Sequence, residues 1–161
     1  MKKGKVWRMD TQQFLSTHYR ALDTKGRLIL PPEYRECLIS HSQNSDPCGF
    51  WLTGFYGRLV AYFPEHWTLV SQQLCKIPFT HVKLSHFKSK VMGLASFLTF
   101  DMQGRIRIPQ PLLREAGLEK DCVLVGMMDK FEIWDQSRFD SILTTEDMSE
   151  ALTATGLEIS L

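Results

Sequence analysis

The chain has 161 residues and a formal net charge of +1, with 43% hydrophobic and 23% charged residues. These values are typical of a globular protein of one or two small domains that folds without metals or disulfides as staples. The longest apolar run, residues 122–128, is too short to span a bilayer, which excludes a membrane protein. Because no apolar stretch follows the basic N-terminus, we expect a cytoplasmic protein without a secretory signal.

Charge is balanced over the whole chain but not along it. Residues 1–35 carry eight basic and three acidic side chains, whereas residues 140–161 carry five acidic and no basic ones. A run of like charge is usually a solvated surface, and the small net charge supplies no overall field for a polyanion. A nucleic-acid partner therefore depends on where the basic residues lie in the fold.

The first predicted unit covers residues 17–64 and consists of a strand, a turn, a second strand, a short helix and a hairpin. Leu28 and Leu30 alternate as an inward face of the second strand. Pro31 ends that strand and helps to begin the helix. The hairpin has its turn at residues 55–58.

A helical connector is predicted over residues 65–97, with a break at Pro78. Apolar residues recur at helical spacing on both sides of the break: Trp67, Val70 and Leu74 before it, and Phe87, Val91 and Leu94 after it. Three lysines are interspersed in the second half, and we expect two of them to be simply solvated.

The second predicted unit covers residues 98–143 and repeats the first. Residues 101–109 match residues 23–31 at an offset of 78, and the two hairpins match at an offset of 72. The difference places the extra length of the first unit in a polar loop at 41–47, where insertions are tolerated. A closing helix is expected on three apolar residues: Phe139, Ile142 and Leu143.

The two units are expected to interlock, because one unit alone exposes too few apolar residues to be stable. This predicts an α+β, mainly β fold with pseudo-two-fold symmetry inside the chain. Residues 144–161 are acidic and poor in large apolar side chains, so we expect them to form a mobile tail.

The repeated turn Asp-x-x-Gly-Arg, at residues 23–27 and 101–105, is the most informative motif. Its glycine supplies a left-handed backbone, and its aspartate accepts hydrogen bonds from N–H groups two or three residues on. One copy is weak evidence, because aspartate and arginine can simply form an exposed ion pair worth about 0–1 kcal/mol. Two copies place planar guanidinium groups on one surface, where they can contact phosphates or guanine edges. By strand alternation, Arg105 and Arg107 share the outward face.

Residues 100–109, followed by 113–118 and 131–135, closely resemble the MraZ family of bacterial transcriptional regulators, and residues 21–27 match the same pattern. The resemblance covers roughly residues 14–143. It implies a duplicated AbrB-like swapped-hairpin barrel with short helices. It also implies a sequence-specific DNA-binding regulator, acting as a repressor near division and cell-wall genes, that is nucleoid-associated and forms a ring-shaped homo-oligomer.

The resemblance also implies the site residues. Those expected to contact double-stranded DNA are Lys25, Arg27, Gln103 and Arg105, with Arg107 as an addition to the motif surface. Those expected to shape the loops are Asp23, Gly26, Asp101 and Gly104. No cofactor, metal or small-molecule ligand is expected. In a head-to-tail ring the loops of neighbouring subunits have the same orientation, so the expected targets are direct repeats spaced by about 10 base pairs.

Three features depart from the family pattern. The N-terminus has about ten extra residues, which either add phosphate contacts or are inert. Ser16 stands where a glycine is common, and one residue is inserted between Pro109 and Arg114 relative to the first copy. The core pattern is unaffected.

Two other classes of function stay open. Candidate nucleophiles, bases and metal ligands are Cys75, His81 and His86, Ser16 and His18, and Cys37 and His41. None belongs to a motif with a recognisable mechanism or to two ligand pairs at zinc spacing, so catalysis and metal binding are disfavoured. The second class is an antitoxin-like interaction module of the AbrB group, with the acidic tail as its binding segment. Such modules typically carry one DNA-binding copy, whereas this chain carries two.

Overall fold

The computed structural model describes residues 13–42, 48–142 and 146–159. Within them the chain forms a six-stranded antiparallel sheet, a two-stranded ribbon and short helices, which confirms the predicted α+β class. The prediction of a mainly β fold is wrong, because helices cover more of the described residues than strands do. The extra N-terminal residues and most of the predicted polar loop lie outside this part. In chain order the elements are β1 (Thr17–Ala21), β2 (Arg27–Ile29), α1 (Pro32–Ser42), β3 (Gly49–Phe55), β4 (Arg58–Tyr62), α2 (Pro64–Cys75), α3 (Val82–Leu94), β5 (Ser96–Thr99), β6 (Arg105–Arg107), α4 (Gln110–Ala116), β7 (Asp121–Gly126), β8 (Lys130–Asp135), α5 (Gln136–Asp140) and α6 (Ser149–Ala154).

The sheet has the strand order β1-β7-β8-β4-β3-β5, and the separate ribbon consists of β2 and β6. The strands at equivalent places in the two predicted units are β1 and β5, β3 and β7, and β4 and β8. Exchanging the members of each pair gives the same strand order, read from the opposite edge of the sheet. The register follows this exchange: Val60 lies opposite Glu132 and Leu28 opposite Ile106, so each of these residues faces its own counterpart. Both hairpins turn where the sequence predicted.

The sheet ends at β1 and β5, and no strand pairing in the described part closes it into a barrel. The ribbon joins the sheet through side-chain packing instead. Leu28 and Ile106 of the ribbon belong to the same buried cluster as Leu59 and Ile133 of the sheet. The predicted inward face of the second strand is therefore confirmed, and one apolar core serves both layers.

The helices α1 and α4 begin immediately after Pro31 and Pro109, respectively. Proline at a strand end fixes the backbone for entry into a helix. Because both helices begin at the same place in the repeat, the prediction of an inserted residue after Pro109 is wrong. The structural counterpart of Arg35 is Leu113, and Arg114 lies one position further round its helix.

The connector helices α2 and α3 pack on the sheet through the predicted apolar spacing. Trp67 and Val91 are buried in a second cluster, and the buried Thr53 hydroxyl donates to the Val91 carbonyl at 2.6 Å. One lysine of α3, Lys90, forms an ion pair with Glu115 at 3.3 Å. The other two make no ion pair within the described residues, as expected for solvated side chains.

The closing helix predicted on Phe139, Ile142 and Leu143 is shorter than predicted. The helix α5 ends at Asp140, and Phe139 contacts the ring of Trp134. Ile142 is about half exposed, and Leu143 lies outside the described residues. The tail contains the helix α6, which buries none of its side chains. No described helix is long and apolar enough to cross a membrane.

Candidate nucleic-acid interface

The first loop, residues 23–27, is closed by hydrogen bonds to Asp23. Its Oδ1 accepts from the backbone N–H groups of Lys25 at 2.8 Å and Arg27 at 2.9 Å. Gly26 donates its N–H to the Asp23 carbonyl at 3.1 Å and has a φ of +72°, a left-handed conformation that favours glycine. The aspartate therefore binds N–H groups two and four residues on, rather than two or three.

The second loop, residues 101–105, has the same hydrogen bonds. Asp101 Oδ1 accepts from the N–H groups of Gln103 and Arg105, both at 2.9 Å. Gly104 donates to the Asp101 carbonyl at 2.9 Å and has a φ of +77°. Two segments far apart in sequence thus share one geometry, which indicates that the motif itself dictates the loop.

Each loop arginine is held from one side by its own aspartate. Arg27 Nε donates to Asp23 Oδ2 at 2.6 Å, and Arg105 Nε donates to Asp101 Oδ2 at 2.7 Å. About a third of each arginine side chain is exposed. Within the described residues no hydrogen bond reaches the Nη atoms, so these donors stay available for a ligand.

Both loop carboxylates are stabilised in their ionised form. The backbone N–H of Arg27 is the largest cause that lowers the pKa of Asp23 from 3.8 to about 2, and the Arg27 side chain adds to it. The pKa of Asp101 is lowered chiefly by the backbone N–H of Arg105. Both aspartates are therefore charged at neutral pH, and the ion pairs that orient the arginines persist.

The ribbon ties the two loops together. Leu30 donates its N–H to the Gly104 carbonyl at 2.8 Å, and Ile108 donates to the Gly26 carbonyl at 3.0 Å. The carbonyl of each loop glycine therefore accepts from the residue that directly follows the ribbon strand of the other loop. The two loops belong to a single hydrogen-bonded unit, although 78 residues separate them in sequence.

The register of the ribbon decides which arginines are neighbours. Arg27 lies directly opposite Arg107, whereas Arg105 lies opposite Ile29. Arg107 and Arg105 do alternate outward along β6, as predicted. In space, however, Arg107 joins the first loop, because the strands run antiparallel.

The loop tips carry exposed side chains. Lys25 and Gln103 occupy equivalent positions, and both are exposed. Met102 is fully exposed at the tip of the second loop. The DNA-contacting residues predicted from the sequence do not include Met102, because only polar side chains were predicted to contact DNA. Its position inside the motif is the feature that could have identified it.

Two arginines outside the motifs also lie against the ribbon. A Cβ on Gly104 would stand only 2.6–2.7 Å from Cδ, Nε and Cζ of Arg35, so this side chain rests on the second loop. Arg20 donates from Nε to the Ile29 carbonyl at 3.1 Å and from Nη1 to the Tyr19 carbonyl at 2.9 Å. The sequence prediction omits both, because their positions depend on pairing between distant segments.

Three of the candidate catalytic and metal-binding residues, His81, His41 and Cys37, have structural contacts. His81 caps α3, where its Nδ1 accepts from the Leu84 N–H at 3.3 Å. His41 Nδ1 contacts the carbonyl oxygen of Cys37 at 2.9 Å rather than its thiol, and burial raises the pKa of that thiol. In the part of the chain that the structure describes, no group of three or more His, Cys, Asp and Glu side chains could hold a metal ion.

Comparison with known proteins identifies the family. A family model described as "MraZ protein, putative antitoxin-like" matches residues 91–158, which include the second loop. The transcriptional regulator MraZ of Nitratidesulfovibrio vulgaris (strain Hildenborough) is 39% identical over 147 residues, covering 90% of this chain and 97% of that protein. The chain belongs to the MraZ family.

Other MraZ proteins match over a similar length. The transcriptional regulators MraZ of Maridesulfovibrio salexigens and Acetivibrio thermocellus are each 36% identical. The matches cover 91% of this chain and 98% of the first relative, and 84% of this chain and 90% of the second. The resemblance seen in the sequence is thus confirmed. Because MraZ is a family of regulators and not of enzymes, the catalytic alternative is rejected.

Proposed function

We propose that the chain is a sequence-specific DNA-binding transcriptional regulator. Its MraZ relatives are named transcriptional regulators. The two loops offer the guanidinium groups that bind phosphates and guanine edges bidentately. The residues proposed to contact double-stranded DNA are Lys25, Arg27, Gln103, Arg105 and Arg107.

The observation that carries this proposal is that one ribbon joins two arginine loops with the same hydrogen bonds. Each loop arginine is already fixed through Nε, so little side-chain entropy is lost when its Nη donors bind. The ribbon fixes the separation of the loops, so both can contact one duplex together. Asp23, Gly26, Asp101 and Gly104 have the proposed role of shaping the loops.

The proposed architecture is a duplicated, swapped-hairpin body of the AbrB type. The strand order that is the same from either edge supports it, and so does the pairing of counterparts in both ladders. The proposed units are 17–64 and 98–143, joined by the connector 65–97 and followed by the tail 144–161. In this arrangement the ribbon and sheet enclose the shared core as a barrel without continuous strand pairing.

The resemblance to the family extends the proposal to assembly and target. We propose a ring-shaped homo-oligomer that acts in the cytoplasm, is associated with the nucleoid and represses division and cell-wall genes. Subunits related by rotation present their loops in one sense, which favours direct repeats about one helical turn apart. Weak contacts from each subunit then add through effective concentration.

Titration of DNA binding tests the proposal. The purified chain is added to a duplex from upstream of its own gene and to a scrambled duplex, across a series of salt concentrations. We expect preference for the upstream duplex and a steep fall of affinity with salt. Arg27→Ala and Arg105→Ala should each abolish the preference while the fold persists. Lys83→Ala, on the exposed face of α3, is the matched control and should bind as the wild type does.

The result that contradicts the proposal is an unchanged preference in both arginine variants, or equal binding of both duplexes by the wild type. In that event the second candidate, an antitoxin-like interaction module, is favoured by the wording of the matching family model. Deletion of residues 144–161 separates the two functions. A regulator keeps its DNA binding without the tail, whereas an interaction module loses its protein partner.

A further inference from the structure

We infer that Arg20 and Arg35 bind the DNA backbone beside the second loop, so that the two ends of the ribbon hold DNA unequally. The inference rests on the proposed DNA-binding function. It adds two residues that neither Asp-x-x-Gly-Arg motif contains. It also gives a single chain a polarity on the duplex, because only one end of the ribbon carries them.

Arg35 reaches the second loop from α1 of the other unit. Its aliphatic stem and guanidinium lie against the backbone of Gly104, the residue that precedes Arg105. Its Nε is buried and has no hydrogen-bond partner in the described part of the chain. The buried Nε cannot itself donate to a ligand, but the positive charge of a guanidinium held in this way is stabilised by an anion bound next to it.

Arg20 reaches the same end of the ribbon from β1. Two backbone carbonyls fix it, and one of them belongs to Ile29, which lies directly opposite Arg105. No hydrogen bond to its Nη2 is found in the described residues. Arg20 is therefore a pre-positioned cation beside the second loop rather than a freely moving surface side chain.

Neither arginine forms an ion pair within the described residues. The ion pairs of the described residues involve Arg27, Arg58, Lys90 and Arg105, and none of them involves Arg20 or Arg35. Glu33 and Glu36 are also on α1, but both are exposed and neither pairs with Arg35. Arginines without an ion pair beside an arginine loop give a local positive potential that attracts phosphates.

The first loop lacks both residues. The counterpart of Arg35 is Leu113, whose Cδ1 is 3.2 Å from the position of a Cβ on Gly26. The counterpart of Arg20 at the same offset is Leu98, which, like Leu113, packs against the core. At these two positions of the repeat the first unit therefore has arginine and the second unit has leucine.

The experiment replaces each arginine by the leucine of its counterpart. Arg20→Leu and Arg35→Leu are titrated with the upstream and the scrambled duplex across salt concentrations, with Lys83→Ala as control. We expect each variant to bind both duplexes more weakly by a similar factor and to retain its preference. The slope of log affinity against log salt should become shallower by about 0.9 for each phosphate that the variant no longer neutralises. Arg35→Lys retains the charge and should recover most of the slope.

Unchanged slopes in both leucine variants overturn the inference. If Arg35→Leu does not fold, Arg35→Gln keeps much of the stem, removes the charge and gives the same test. The outcomes distinguish this inference from the proposed function. A wild-type chain without preference for the upstream duplex refutes the function. A wild-type chain with preference, combined with unchanged slopes in the variants, refutes only the roles of Arg20 and Arg35.

Discussion

Alanine at Gly26 tests whether the motif glycine is required for backbone reasons. An L-residue with a φ of +72° destabilises the folded state by about 1–2 kcal/mol. Alanine offsets about 0.4–1 kcal/mol of this loss, because it lowers the conformational entropy of the unfolded chain. The new Cβ would meet Leu113 Cδ1 at 3.2 Å and the Ile108 carbonyl at 3.4 Å, which needs only small shifts. We expect Gly26→Ala to lower the free energy of unfolding by about 1 kcal/mol.

Alanine at Gly104 adds a second effect to the same backbone strain. Its Cβ would stand 2.6 Å from Arg35 Cδ, so the arginine side chain has to leave the loop. Because that side chain is flexible, the stability loss should remain close to that of Gly26→Ala. Its DNA binding should differ, with a shallower salt slope like that of Arg35→Leu.

Urea denaturation of the wild type and both alanine variants measures the stability effect. For a chain of this size, 1 kcal/mol corresponds to a change in Tm of about 2–4 °C. A Gly26→Ala variant that is as stable as the wild type refutes the backbone argument. If Arg35→Leu makes the salt slope shallower but Gly104→Ala does not, the contact with the second loop is not what positions Arg35 for DNA binding.

Three further predictions concern local interactions. The Asp23 carboxyl, with a pKa of about 2 against 3.8 when unpaired, stabilises the fold fully above about pH 4 and loses this effect as the pH falls through about 2. Arg27→Ala should raise that pKa in an NMR titration, and an unchanged value contradicts the assignment. Ser16→Gly should raise Tm by about 2 °C, since Ser16 has a φ of +68°; a lower Tm in calorimetry contradicts this. Thr53→Val leaves the Val91 carbonyl without its donor and should cost about 1–3 kcal/mol in urea denaturation, whereas Thr53→Ser should cost less.

Local structure was predictable from the sequence, because it depends on residues close together. The loop at Asp23 and Gly26, the inward face at Leu28 and both hairpin turns follow from spacing and backbone preference. The partners of β1, β2 and β5 were not predictable individually, because pairing is decided by burial of the whole core. Alignment by residue type matched Arg35 with Arg114, whereas the structure matches it with Leu113. Its place beside the second loop therefore escaped prediction.

The palindromic strand order also constrains how the chain folds as it is synthesised. Among the described strands β1 pairs only with β7, which lies about 100 residues further along the chain. At about 5–20 residues per second, β1 waits on the order of 5–20 s for its partner to leave the ribosome. During this time its hydrogen-bonding edge and the apolar face of the β3–β4 hairpin are uncovered, and unpaired edges are where chains aggregate. The slow pairing of strands that are far apart in sequence, rather than the stability of either repeat unit, therefore limits how quickly the two arginine loops come together.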